Sequence, residues 1–86
     1  MNEKMTAIKE LQQMLRDIAK TDSDIISVIP DGIFGEETED SVKSFQRKKG
    51  QTDTGVVDYE LWQAIAAEHK KALFELSDPI RITDIS

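Results

Sequence analysis

The chain has 86 residues, of which 33% are charged and 38% are hydrophobic, a balance that favours one folded domain over a disordered segment. Its net charge of −6 argues against duplex binding, because nucleic-acid phosphates require several Lys or Arg residues on one face. Cysteine is absent, which excludes disulfides and thiolate chemistry, and no apolar run approaches the ~20 residues that span a bilayer.

The first predicted element is an amphipathic helix over residues 3–20. Its polar residues, including Gln12 and Asp17, are expected to face mostly water. A polar run at residues 21–24 ends the helix, and a short extended apolar segment, residues 25–29, follows before Pro30. The apolar positions of the helix recur at intervals of three and four, which indicates a stripe in contact with a core: Met5, Ile8, Leu11, Met14, Leu15 and Ile18.

A glycine turn, Asp31-Gly32-Ile33-Phe34-Gly35, leads into the second predicted helix, residues 36–49. Gly32 suits a positive φ, which other residues resist, and Ile33 and Phe34 are expected to point inward. Acidic residues in the first turn and basic residues in the last turn favour a helix here, because these charges interact favourably with the helix dipole. The predicted landmarks of this helix are an N-cap at Gly35, a stop at Gly50 and a buried face of Thr38, Val42 and Phe45.

A degraded copy of the turn begins 23 positions after Gly32, at Gly55, with Asp58 in the N-cap position. It leads into a third helix, residues 59–76, which must end before Pro79. Residues 1–78 therefore form one predicted all-α domain with an internal turn-helix repeat, and residues 79–86 form an extended tail or a linker to a missing domain. The predicted inward residues of the third helix are Leu61, Trp62, Ile65, Ala66, Ala72, Leu73 and Leu76.

No residue set suggests catalysis. The single histidine, His69, borders the inward stripe of the third helix and is expected to be a partly buried structural residue. A zinc site would need further ligands at workable spacing, and neither a Gly-x-Ser-x-Gly elbow nor a Gly-rich phosphate loop occurs. The sequence predicts a chain that is not an enzyme and that uses no metal or cofactor.

This order of elements resembles the bacterial peptidoglycan-binding domain, a module appended to cell-wall hydrolases, amidases, carboxypeptidases and phage endolysins. The resemblance covers about residues 8–65 and implies a compact three-helix orthogonal bundle. The second copy matches at Trp62, but Asp58 and Leu61 stand there in place of the usual Gly and Thr. In the first copy, Glu36 replaces a frequent Pro. The first copy carries the resemblance, with matching residues Asp31, Gly32, Phe34, Gly35, Thr38, Val42, Phe45 and Gln46.

The resemblance implies a non-catalytic module that binds peptidoglycan and targets an attached domain to it. Aromatic rings suit apolar sugar faces, a Gln amide suits N-acetyl groups and hydroxyls, and an arginine suits stem-peptide carboxylates. The expected ligand-binding residues are Asp31, Phe34, Gln46, Arg47, Tyr59 and Trp62.

The alternative is a protein-interaction or structural domain that keeps the fold without binding glycan. Neither nucleic acid nor a membrane is an expected partner. The sequence lacks the apolar stretch of a signal peptide, so a cell-wall or extracellular location is expected only as part of a longer exported protein.

Overall fold

The computed structural model describes residues 3–77 and contains three α-helices: α1 (Glu3–Thr21), α2 (Glu36–Lys48) and α3 (Tyr59–Leu76). The predicted helices agree with these bounds to within one residue, and the predicted all-α three-helix fold is confirmed. The predicted tail, residues 79–86, lies outside the described residues. Across residues 3–77, no helix is both long enough and apolar enough to cross a membrane.

The core lies where α1 packs along α3, and α2 covers it with a smaller contact to α1. Every core residue is at most 5% exposed. Burying one large apolar side chain stabilises a fold by ~1.5–3 kcal/mol, so this core is the main stabilising element of a domain without disulfides. The core residues are Leu11, Met14, Leu15, Ile18, Ile25, Val28, Val42, Phe45, Leu61, Ile65 and Ala72.

Some residues predicted to point inward face solvent instead. In the first turn, Ile33 is 65% exposed and Phe34 is 40% exposed. In α3, Leu73 is 48% exposed although its neighbour Ala72 is buried. Leu76, the last residue of that helix, is 47% exposed, and Met5, near the start of α1, is 50% exposed.

Polar side chains attach α2 to residues 25–29, which we call the linking segment. The hydroxyl of Ser41 donates to the carbonyl of Ile26, and the N–H of Ile26 donates to Ser44 Oγ at 3.0 Å. Both serines are buried. Near the C-terminus of α2, the Lys48 ammonium lies 2.9 Å from Asp24. These hydrogen bonds therefore attach the start of the linking segment to the middle of α2.

A half-buried pair connects α1 to α3. His69 Nε2 lies 2.9 Å from Asp17 Oδ2, and Lys20 Nζ lies 3.4 Å from Asp17 Oδ1. Partial burial acts to raise the pKa of Asp17, but hydrogen bonds from His69 and Lys20 outweigh it and hold that pKa below its ordinary value. The pair places His69 as the partly buried structural residue that the sequence predicts.

We expect Asp17→Asn to lower the free energy of unfolding by about 0.5–1 kcal/mol at pH 7. Because the folded pKa is depressed, the contribution of Asp17 is fully present above the unfolded pKa of about 3.9 and disappears as the pH falls through the lower folded pKa. Urea unfolding at neutral and acidic pH measures this. Asp40→Asn, at an exposed position, is the control. A difference from the parent chain that is equally large below both pKa values would contradict the prediction.

Candidate ligand-binding site

The buried side chain of Gln12 organises the first turn from inside the domain. Gln12 Oε1 accepts the N–H of Gly32 at 2.8 Å. Gln12 Nε2 lies 3.1 Å from Asp31 Oδ1, 2.9 Å from the carbonyl of Ile33 and 2.8 Å from Thr38 Oγ1, so its two N–H bonds are shared among three acceptors. The prediction that Gln12 faces water was wrong, because the polar groups of this turn take their partners from α1.

Gln46 on α2 makes the equivalent contacts with the second turn. Gln46 Oε1 accepts the N–H of Gly55 at 2.9 Å, and Gln46 Nε2 donates to Thr54 Oγ1 at 3.1 Å. The residue before each glycine also accepts a backbone hydrogen bond. Asp31 Oδ1 accepts the N–H of Ile33 in the first turn, and Thr54 Oγ1 accepts the N–H of Val56 in the second. The predicted internal repeat is therefore present in three dimensions, with one helix glutamine holding each glycine turn.

The second glycine turn also lies close to α2. Gly55 has a φ of +77°, and a Cβ there would lie 2.7 Å from Glu39 Cγ and 3.2 Å from Lys43 Cε. Gly50 has a similar φ of +73°, but a Cβ there would meet no atom within 4 Å. A substitution at Gly50 therefore tests the free-energy cost of the backbone conformation alone, and one at Gly55 tests that cost together with the cost of close packing.

We expect Gly55→Ala to destabilise the domain more than Gly50→Ala does. Both substitutions place a Cβ in the left-handed region at a cost of about 1–2 kcal/mol, and Gly55→Ala adds roughly 1 kcal/mol through contact with Glu39. Urea midpoints of the two variants provide the measurement. Equal losses would show that the turn moves away from α2 without cost.

An apolar groove lies between the two turns and the first half of α1. Phe34 of the first turn and Trp62 of α3 both line this groove, which has a volume of about 480 Å³. Gln12 donates a hydrogen bond to the carbonyl of Ile33 on the inner side of the first turn. The Phe34 ring is therefore left at the surface, where it lines the groove. We call this feature the inter-turn groove. Its other lining residues are Lys4, Ala7, Ile8, Leu11, Gly55, Val56 and Val57.

A more polar groove of about 500 Å³ begins on the other side of Val56, a residue that is 66% exposed and lines both grooves. Asp58 is fixed in this polar groove, because its Oδ1 accepts the N–H of Leu61 at 2.8 Å as the N-cap of α3. The aromatic surface of the inter-turn groove and the hydrogen-bonding groups of the polar groove therefore lie on either side of Val56. The other residues of the polar groove are Gln46, Gln51, Thr52, Thr54, Glu60 and Leu61.

Of the residues predicted to bind the ligand, Phe34 and Trp62 lie together in the inter-turn groove. Tyr59, at the start of α3, is 76% exposed and lines neither groove. Gln46 is 5% exposed at the base of the polar groove, and its amide oxygen and nitrogen both bind the second turn.

The two charged candidates also have partners inside the domain. Arg47 Nη1 lies 2.8 Å from Asp53 Oδ2. The carboxylate of Asp31 accepts hydrogen bonds from the N–H of Ile33 and from Gln12, which lower the pKa of Asp31 below its ordinary value. Among residues 3–77, no group of three or more His, Asp or Glu side chains could hold a metal ion.

Comparison with protein-family models gives a match to the family described as "Putative peptidoglycan binding domain" over residues 4–65. The matched range covers more than half of the chain and contains α1 without its first residue, all of α2, both glycine turns and the aromatic residues of the inter-turn groove. Searches of the curated proteins and of the solved structures found no significant match.

Proposed function

Since the chain belongs to the peptidoglycan-binding domain family, we propose that it binds cell-wall peptidoglycan and does not itself catalyse a reaction. The observation that supports the inter-turn groove as the binding site is the placement of Phe34 and Trp62 on its walls. Of the predicted aromatic contacts, these two line the same concave surface. All residues that line this surface lie within the sequence range that matches the family.

The chemistry of the groove suits a sugar ring. The C–H faces of a sugar pack against aromatic rings, and Trp62 offers a fixed surface because its indole also packs against the buried core. Phe34 is 40% exposed, so its ring is available for contact without unfolding of the turn. A preformed aromatic surface binds with a smaller loss of side-chain entropy than a mobile one does.

The polar groove suits the substituents of the same ligand. N-acetyl groups, hydroxyls and stem peptides need hydrogen-bond donors and acceptors, and Thr52 and Glu60 present such groups next to Val56. At the other end of the site, Lys4 lines the inter-turn groove, where an ammonium group matches a stem-peptide carboxylate. We propose that the ligand lies across Val56, with a sugar face on the aromatic side.

We propose further that the module targets an attached domain to its substrate. Both grooves are open depressions rather than enclosed cavities, which suits weak and reversible binding of a polymer. Weak binding of this kind raises the effective concentration of a linked domain near the wall without holding it at one position.

Co-sedimentation with insoluble peptidoglycan sacculi tests the proposed function. We expect the 86-residue chain to sediment with sacculi in a saturable manner and to remain soluble with cellulose, which has sugar faces but no N-acetyl groups or stem peptides. An absence of co-sedimentation at high protein concentration would overturn the proposal. The predicted alternative, an interaction domain that does not bind glycan, would then be favoured.

A further inference from the structure

A separate groove lies between the linking segment and the first half of α2. It has a volume of about 380 Å³ and shares no lining residue with the inter-turn groove. We call it the α2 groove. Its lining residues are Ile26, Ser27, Val28, Ile29, Glu37 and Asp40.

The α2 groove is open because one face of α2 carries serine hydroxyls near its middle but a carboxylate near its N-terminus. Ser41 and Ser44 hold the backbone of Ile26, and Glu37 lies one helical turn before Ser41 on the same face. A carboxylate cannot donate a hydrogen bond to the carbonyls of the segment. Within residues 3–77, the backbone groups of residues 27–29 accordingly have no hydrogen-bond partner.

The walls of the α2 groove combine apolar surface with negative charge. Ile26 is 46% exposed and Ile29 is 70% exposed. Glu37 and Asp40 are both exposed, and neither forms an ion pair with any residue in the described part of the chain. A complementary ligand needs an apolar stem, a positive head and backbone groups that can pair with an extended segment.

We propose that the α2 groove binds an extended basic segment of a partner polypeptide, in which Lys or Arg alternates with apolar residues. Such a segment can pair its backbone with residues 27–29, as added strands do at free edges. The methylene stems of its basic side chains can pack on Ile26 and Ile29 while their cations reach Glu37 and Asp40. The net charge of −6 adds long-range attraction for the same partner.

This inference concerns a different surface from the glycan site, so each can fail without the other. The probe is a short synthetic peptide of alternating Lys and Val with blocked ends, titrated at low ionic strength into the ¹⁵N-labelled 86-residue chain. We expect amide shifts at residues 26–29, Glu37 and Asp40, and no such shifts with the matched peptide of alternating Glu and Val. Equal shifts with both peptides would overturn the proposal.

Paired neutralisations separate the groove from net charge. We expect E37Q/D40N to weaken the affinity for the Lys-Val peptide roughly three- to tenfold, as the loss of two exposed charge contacts predicts. The control E10Q/E75Q removes the same charge at exposed positions of α1 and α3, so it should weaken binding only through the smaller net charge and therefore less than E37Q/D40N does. Equal weakening by both pairs, or muropeptides that shift the α2 groove more strongly than the peptide does, would overturn it.

Discussion

Gln12→Ala is expected to lower the free energy of unfolding by roughly 3–4 kcal/mol. The substitution removes the acceptor of the Gly32 N–H and the donor to Thr38 Oγ1, both inside the domain. Each buried polar group left without a partner costs about 1–3 kcal/mol, and the missing side chain adds a cavity where Gln12 is fully buried. For a domain of this size, the loss corresponds to a fall in melting temperature of roughly 15–25 °C.

The neighbouring residue provides the control. Gln13 lies on the same helix and is exposed, so Gln13→Ala should change the free energy of unfolding by less than about 0.5 kcal/mol. Thermal and urea unfolding of the two variants make the comparison. Gln12→Met, which nearly conserves side-chain volume, should recover the packing but not the hydrogen bonds. Equal stability of Gln12→Ala and Gln13→Ala would show that the turn does not depend on its contact with α1.

The sequence predicted the helices because their signals are local. The stripe of α1 repeats at helical spacing, Asp58 caps α3 by accepting the N–H of Leu61, and Gly50 takes the positive φ that ends α2. Each of these features involves residues at most four positions apart. No knowledge of the tertiary contacts is needed to predict them.

Gln12 could not be placed from periodicity alone, because its partners lie between 19 and 26 residues further along the chain. A polar residue beside an apolar stripe normally faces water, and the pattern gives no reason to bury it. One signal was available. The dipeptide Leu11-Gln12 precedes the first turn as Phe45-Gln46 precedes the second, and both glutamines hold the glycine of the turn that follows.

The same long-range contact explains the error at Phe34. A turn with apolar side chains is expected to bury them, but Gln12 and Thr38 already occupy the inner side of this turn through the Ile33 carbonyl. The Phe34 ring is therefore left at the surface, 40% exposed, beside Trp62. The sequence predicted both aromatic residues as ligand contacts, but only the folded chain shows that they share one groove.

The glutamine contacts also connect stability to binding. The first turn carries Phe34, and the second turn supplies Gly55, Val56 and Val57 to the same groove. Because Gln12 on α1 and Gln46 on α2 each fix one of these turns, we expect the two glutamines to control the distance between the walls of the groove. Loosening either turn should weaken binding before the domain unfolds, since the aromatic surface must be preformed.

Phe34→Ala is expected to weaken the affinity for sacculi roughly tenfold while the domain stays folded. The ring supplies one aromatic wall of the inter-turn groove, and loss of an aromatic contact of this kind is worth about 1–1.5 kcal/mol. Phe74→Ala is the matched control, because Phe74 is 55% exposed on α3 and lies outside the groove. Binding isotherms with sacculi, together with melting temperatures, separate affinity from stability. Unchanged binding of Phe34→Ala, or equal loss in Phe74→Ala, would place the glycan on another surface of the domain.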